Sequence, residues 1–283
     1  MIYLYLDEIK GVLSESTVEQ YTERLRRFDY WMTANARRDY NRETVVEFIK
    51  HMQRKEVGKA SIALHKAAVS AFYSWLVENG KIKSNPVKNL RMGRYRSQKK
   101  QDDCPITKEE YEKIKAACRQ SKIRFDFWEG ATIIGWNTGL RLGDIACMEW
   151  QSISLAYGKI ELEPNKTKRL QKRVEIPIAP ELNRWLQMNY PLRIDDKLFP
   201  AMYAEYAENG AKHLSQQFTR ICEKAGVEGK TFHLLRHSLV TRLLSNGVPA
   251  SIVSGITGQT LPVIDRYNHP SFSDKAKAMM HLV

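Results

Sequence analysis

Three nitrogen-rich side chains crowd one end of the stretch TFHLLRHSLVTRLL, residues 231–244. His233, Arg236 and His237 are spaced three, four and one apart, so a helix sets them side by side. Leu235, Leu239 and Leu243 form an apolar stripe behind them, and Asn246-Gly247 supplies a helix stop. A second arginine stands in TGLRLGD, residues 138–144. There Arg141 follows a glycine-containing turn and starts a helix, a setting that attracts anions. Asp144, one turn later, can hold its guanidinium in a fixed pose. Two guanidiniums can each grip the non-bridging oxygens of one phosphate and offset the charge that builds in a pentacoordinate transition state. His233 adds a further donor. Such chemistry still needs a nucleophile and a proton donor for the leaving oxygen. Zinc is the competing reading of two histidines four apart. It fails because Leu234, not a glutamate, follows His233, and no Asp, Glu or Cys lies nearby at ligand spacing. No metal or other cofactor is expected.

These residues must be positioned by a chain of 283 residues, long enough for two domains. No apolar run approaches membrane-spanning length, and the first residues, MIYLYLDEIKG, lack the features of a signal peptide. Cys104, Cys118, Cys147 and Cys222 are scattered without a metal or disulfide pattern, which fits a reduced cytoplasmic compartment. Charge is uneven: residues 1–100 carry 20 Lys+Arg against 11 Asp+Glu, within a whole-chain balance of +13. A basic first third suggests a polyanionic partner, nucleic acid ahead of membrane.

Helical patterns open at Ser14, with Val18, Tyr21, Leu25, Phe28 and Met32 on one face, and continue near 43–56 and 60–79. In the second of these Val46, Ile49 and Met52 point inward; in the third, Ala68, Phe72, Trp75 and Leu76. A short segment follows Asn85-Pro86. The run KNLRMGRYRSQKKQ, residues 88–101, has six basic residues and no acidic one, and reads as a linker able to lie along a phosphate backbone. From Pro105 a second domain begins, with helices near 107–119 and 128–138. Strands are expected at 159–163, at 165–167 and at 173–178 around a basic turn. Helices resume at 180–189, 212–225 and 234–245, with shorter ones near 249–256 and 262–268.

TGLRLGD, the hairpin NKTKRLQKRVEIPI, HLLRH and the closing GQTLPVIDRYNHP resemble, in order and spacing, the tyrosine recombinases, or phage-integrase family. The resemblance covers essentially the whole chain. It implies that Arg141 and Arg236 clamp a scissile DNA phosphate, that His233 assists, and that His237 supports. Tyr267 matches the nucleophile, which releases a 5′-hydroxyl and leaves a 3′-phosphotyrosyl link. A hairpin lysine is the family's general acid; Lys166 is the first choice here and Lys168 the second. The family's usual His or Trp before the nucleophile is replaced by Gln259, eight residues ahead of Tyr267 rather than nine. Gln can donate a hydrogen bond to phosphate but cannot be a cation. Lys59, Ser61, His65, Lys66, Arg94, Arg96, Arg169 and Thr231 complete the candidate DNA contacts.

The expected architecture is mainly α with a small β-sheet. An all-helical core-binding (SAM-like) domain with its basic linker fills 1–100, and a mixed α/β catalytic domain fills 103–283, the two forming a C-shaped clamp. The resemblance implies double-stranded DNA with inverted-repeat core sites as partner. It also implies a homotetramer exchanging strands through a Holliday junction, with residues 271–283 forming a terminal helix that docks into a neighbouring protomer. A type IB topoisomerase-like enzyme, or a DNA-binding regulator impaired in catalysis, are the alternatives. A nucleoid-associated protein of prokaryotic, viral or mobile-element origin fits this reading.

Overall fold

A computed structural model describes residues 1–91, 104–120, 127–164, 173–265 and 267. The chain divides into two compact units, Met1–Asp102 and Asp103–Val283. Each has its own apolar core.

The first unit is helical. Helix α1 (Ile2–Glu8) was not among the expected elements, although Ile2, Tyr5 and Leu6, which it buries, sit at helical spacing. Helix α2 (Glu15–Ala34) starts after Ser14 and buries Leu25, Phe28, Trp31 and Met32. Helix α3 (Arg42–Arg54) is capped by Asn41, whose side chain accepts from the Thr44 N–H. Its inward face is Val45, Phe48, Ile49 and Met52. Val46 lies at the margin of the core instead of inside it, because Phe48 turns the stripe by one position. Helix α4 (Lys59–Glu78) ends at Asn79 and a left-handed Gly80. Its Phe72 and Tyr73 rings meet Tyr5, Phe28 and Tyr40 in the centre of the unit.

In the second unit, α5 (Lys108–Gln120) and α10 (His233–Ser245) both pack on the apolar helix α6 (Phe127–Thr138). Gly135 allows the α10 contact: a Cβ there would lie 2.8 Å from the Phe232 ring and 2.9 Å from Leu235. A five-residue helix α7 (Leu142–Ala146) leads to a three-stranded antiparallel sheet in the order β1–β2–β3. Its strands are β1 (Ile153–Ser154), β2 (Lys159–Leu162) and β3 (Val174–Pro177), with Ile160 opposite Ile153 and Ile176. β1 is too short to leave an alternating pattern, and it was not expected. The strand expected at 165–167 lies outside the described residues.

Helix α8 (Pro180–Asn189) matches its expected span. Helix α9 (Pro200–Lys224) starts well before the expected residue 212, because Gly210 breaks the helical geometry within it and hides its first half. Helices α11 (Ala250–Thr257) and α12 (Leu261–Ile264) close the described chain. Among the described residues, no helix is long and apolar enough to cross a membrane.

Candidate active site

The site gathers on α10, and α6 fixes it there. Arg236 is 2% exposed. Its Nη1 donates to the Gly139 carbonyl at 2.7 Å and its Nη2 to the Thr257 carbonyl at 2.6 Å. Each of these carbonyls follows or ends a helix, so the guanidinium supplies donors that no helical N–H provides there. These two bonds use two of the five N–H donors of the fork. Gly139 must be glycine for two reasons. Its φ of +64° is left-handed, and a Cβ would lie 3.0 Å from Leu239 and 3.5 Å from the Arg236 Cγ. The Arg236 distance is ordinary contact, so the left-handed backbone and the close Leu239 approach are what call for glycine in TGLR.

Arg141 is the residue preceding α7, half-buried, with its Nη1 3.8 Å from the Asp144 Oδ2. That is a loose ion pair, so Asp144 holds the guanidinium electrostatically more than by a directed bond. A helix of five residues has little macrodipole, and the anion attraction expected at Arg141 rests on its own charge. Burial, with the Arg141 charge next, lowers the Arg236 pKa to about 10, while Asp144 and Tyr267 counteract it. The two guanidiniums are thus close enough for the charge of one to disfavour the charge of the other.

His233 is the first residue of α10 and exposed; His237, one turn on, is half-buried. Their rings meet edge to face at 4.7 Å. His237 in turn meets the Tyr267 ring at 4.8 Å and 80°, and its Nε2 lies 3.1 Å from the Tyr267 hydroxyl. Tyr267 is placed by a turn after α12, its N–H donating to the Ile264 carbonyl, and by packing on the small cluster of Val240, Val253 and Ile264. Arg141, Asp144, Arg236, His233, His237 and Tyr267 are therefore brought into one locality by α6, α7, α10 and α12.

Gln259 follows the left-handed Gly258 that ends α11, and is 8% exposed. Its carbonyl accepts from Ser254 Oγ, and its side-chain Oε1 is buried without a hydrogen-bond partner among the described residues. Lys166, Lys168, Arg169, Arg94 and Arg96 lie outside the described residues. Thr231 is exposed just before α10. In the first unit Lys59 is exposed at the start of α4, whereas His65 is 7% exposed and its Nδ1 contacts the Ser61 carbonyl at 2.9 Å. Lys66 donates to the Leu90 carbonyl.

A groove of about 790 Å³ opens beside Asp144, lined by Glu149, Glu161, Glu163, Arg173 and Lys197 among others. Among the described residues its cations are paired with its carboxylates, Arg173 with Glu163 and Lys197 with Glu149.

Three residues that build the site left no mark in the sequence motifs. Thr257 gives its carbonyl to Arg236 and returns its hydroxyl to the Val253 carbonyl. Arg242, two turns after Arg236, lies 3.6 Å over the Trp136 ring and donates to the Trp136 carbonyl, tying α10 to the end of α6. Glu181 accepts from Lys115, Tyr111 and Asn137, the residue before TGLRLGD. Burial raises its pKa, and the three donors outweigh that, leaving the carboxyl below its ordinary range. Only Arg242 had a signal to offer: a cation on an otherwise apolar helix face.

A buried arginine braced by two backbone carbonyls, with a second arginine near it and a tyrosine that meets a histidine, can be compared with known proteins. Residues 105–273 match the Phage integrase family, and residues 2–80 match the Phage integrase, N-terminal SAM-like domain. The tyrosine recombinase XerD of Lacticaseibacillus casei is 25% identical over 279 residues, covering 94% of this chain and 92% of that protein. A tyrosine recombinase of Thermosipho africanus is 24% identical over 283 residues, covering 95% and 94%. Among solved structures, the Tn1549 transposon integrase with transposon right end DNA superposes at a TM-score of 0.74. It is 18% identical, with 100% of this chain and 98% of that one covered. A lambda integrase tetramer bound to a Holliday junction superposes at 0.69 with 19% identity, covering 95% and 79%. These likenesses show the fold, mainly helical with a three-stranded sheet and a SAM-like first domain. With the match over more than half its length, the chain belongs to the phage integrase family.

Proposed function

We propose that this protein is a site-specific DNA recombinase that breaks and rejoins strands through a 3′-phosphotyrosyl intermediate. The observation that carries the reading is the Arg236 guanidinium, buried and braced by two carbonyls, within electrostatic range of both Arg141 and Tyr267. A fork fixed in this way costs no reorganisation when charge develops on a phosphate. Arg141 and Arg236 bind the non-bridging oxygens, His233 donates a further hydrogen bond, and Asp144 restrains Arg141. Gln259 contributes an amide donor. Tyr267 attacks phosphorus, and Lys166, with Lys168 as the second choice, protonates the departing 5′-oxygen. The link conserves the bond energy, so rejoining needs no ATP, and the arginine pair takes the part that a metal plays in other phosphoryl transfers.

Double-stranded DNA with inverted-repeat core sites is the proposed partner. The first unit and the basic run at 88–101 serve as a sequence-independent grip on its backbone. Lambda integrase forms a tetramer on a Holliday junction, and the same assembly is proposed here, with residues 271–283 as the exchanged segment and the cytoplasm as the compartment. The test is to recover protein-linked DNA from cells and sequence its ends, then repeat attachment with purified protein in excess EDTA. A recurring site with protein on the 3′ side, formed without free divalent metal, is expected. No linked DNA, a 5′ linkage, or activity lost to chelation and restored by Mg²⁺ would overturn the reading. Synapsis of two sites separates recombination from simple relaxation of supercoils.

A further inference from the structure

We infer that His237 is a catalytic residue, the base that receives the Tyr267 proton as the hydroxyl attacks phosphorus. This rests on the reading of Tyr267 as nucleophile and assigns the proton that the reading leaves unplaced. The His237 ring nitrogen reaches the reacting atom: its Nε2 lies 3.1 Å from the Tyr267 hydroxyl oxygen. The distance is within hydrogen-bond reach for a general base. Arg141 and Arg236 cannot serve, because a guanidinium has no lone pair to give.

The imidazole is also held for the task. The exposed His233 ring touches one side of it edge to face, and the Tyr267 ring touches it at 4.8 Å and 80°. Two ring contacts restrict its rotation and keep Nε2 toward the hydroxyl. Accepting at Nε2 requires the neutral tautomer with its proton on Nδ1. A phenol ordinarily ionises near 10 and an imidazolium near 6.5. The proton therefore moves only as the Tyr267 oxygen bonds to phosphorus, and the neighbouring guanidiniums keep the resulting imidazolium short-lived.

The step balances. The Tyr267 O–H bond breaks and its proton goes to His237 Nε2. The new bond joins the Tyr267 oxygen to phosphorus, and the bond from phosphorus to the 5′-oxygen breaks, that oxygen taking a proton from the general acid. In rejoining, the 5′-hydroxyl returns its proton to the deprotonated general acid as it attacks phosphorus, and the bond from phosphorus to the Tyr267 oxygen breaks, that oxygen taking the proton from His237.

The test is single-turnover attachment to a nicked duplex by the wild-type protein, His237→Ala and His237→Gln, each with and without added imidazole. The adducted residue is mapped, and folding is checked by DNA binding. His237→Ala is expected to attach roughly 10²- to 10⁴-fold more slowly. Imidazole should restore part of that rate in proportion to its free-base concentration. A 5′-bridging sulfur, which leaves without a proton, should not restore it, since the defect is on the nucleophile's side. His237→Gln, which can hold the hydroxyl but not take its proton, should be as slow as His237→Ala. Attachment through Tyr267 at the wild-type rate in His237→Ala would overturn the inference and leave the nucleophile standing. Slow attachment with no response to imidazole, or a fast His237→Gln, would reduce His237 to a positioning residue and overturn it as well. A wild-type adduct on another tyrosine would remove both readings together.

Discussion

In α4, His65 bonds a carbonyl one turn back in its own helix, Ser61 at 2.9 Å, and rests its ring on Phe48. In α10, Arg236 reaches the carbonyls of Gly139 and Thr257, and His237 meets Tyr267 from another helix. Both helices carry histidine and cations at similar spacing, and the sequence offers both as phosphate contacts. The difference lies in where the partners come from. A side chain satisfied by its own helix is finished when the helix forms. One that draws several segments to a single point makes a place where a ligand can enter. Long-range convergence, more than residue type, separates a site from a core.

The comparison breaks most visibly at Arg236. Arg236→Ala should lower single-turnover attachment by roughly 10³-fold or more, since it removes several transition-state donors at once. It should also destabilise the second unit, because the Gly139 and Thr257 carbonyls lose buried partners at about 1–3 kcal/mol each. Arg236→Lys keeps the charge but not the fork, and should recover little of the rate. If Arg236→Lys attaches nearly as fast as the wild type, charge alone is at work and the bracing is incidental.

Next in size is Lys166→Ala. It should slow cleavage of a normal phosphodiester roughly 10²- to 10⁴-fold and cleavage of a 5′-bridging sulfur substrate hardly at all. The same rescue in Lys168→Ala instead would move the role there; equal slowing of both substrates would remove Lys166 from it.

Gln259→Ala should cost about 10² in rate, the value of one donor aimed at the transition state, while Gln259→His retains activity. The Gln259 Oε1 is buried without a hydrogen-bond partner among the described residues. Full activity in Gln259→Ala would place it outside the site.

The smallest effect belongs to His65. His65→Leu should leave attachment within about threefold of wild type, its change falling on stability alone. Burial lowers the His65 pKa, the nearby Arg27 and Arg24 adding to it, against a bond to Ser61 that raises it. The folded protein therefore holds the neutral ring. Its stabilising effect is complete above the unfolded value of 6.5 and is lost as pH falls from there toward the lower folded value. Chemical denaturation between about pH 8 and about pH 5 should show a steeper loss for wild type than for His65→Leu. A large loss of DNA attachment in this variant would return His65 to the DNA contacts.

Much of this was legible in the sequence for a physical reason. HLLRH and TGLR each carry a local signature of polar residues on an apolar frame, whereas Tyr267, one of thirteen tyrosines, is singled out only by the resemblance; the stops at Asn79-Gly80 and Asn246-Gly247 fix helix ends by backbone conformation alone. What stayed hidden was the bracing. The Thr257 carbonyl has no side-chain signature, and nothing at Glu181 shows that Tyr111, Lys115 and Asn137 converge on it. Helix α1 is too short, at seven residues, to show a period, and Gly210 interrupts the pattern in the first half of α9. At His65 the sequence shows a histidine beside a lysine on a helix, and does not show the Phe48 ring behind it.

The central claim is tested most directly by mapping the covalent adduct on a nicked duplex by peptide mass spectrometry, with Tyr267→Phe alongside. The site geometry predicts one DNA-linked peptide containing Tyr267, and none from Tyr267→Phe, which still binds the duplex. An adduct on Tyr203, Tyr206 or any other tyrosine, or one that survives in Tyr267→Phe, would contradict it.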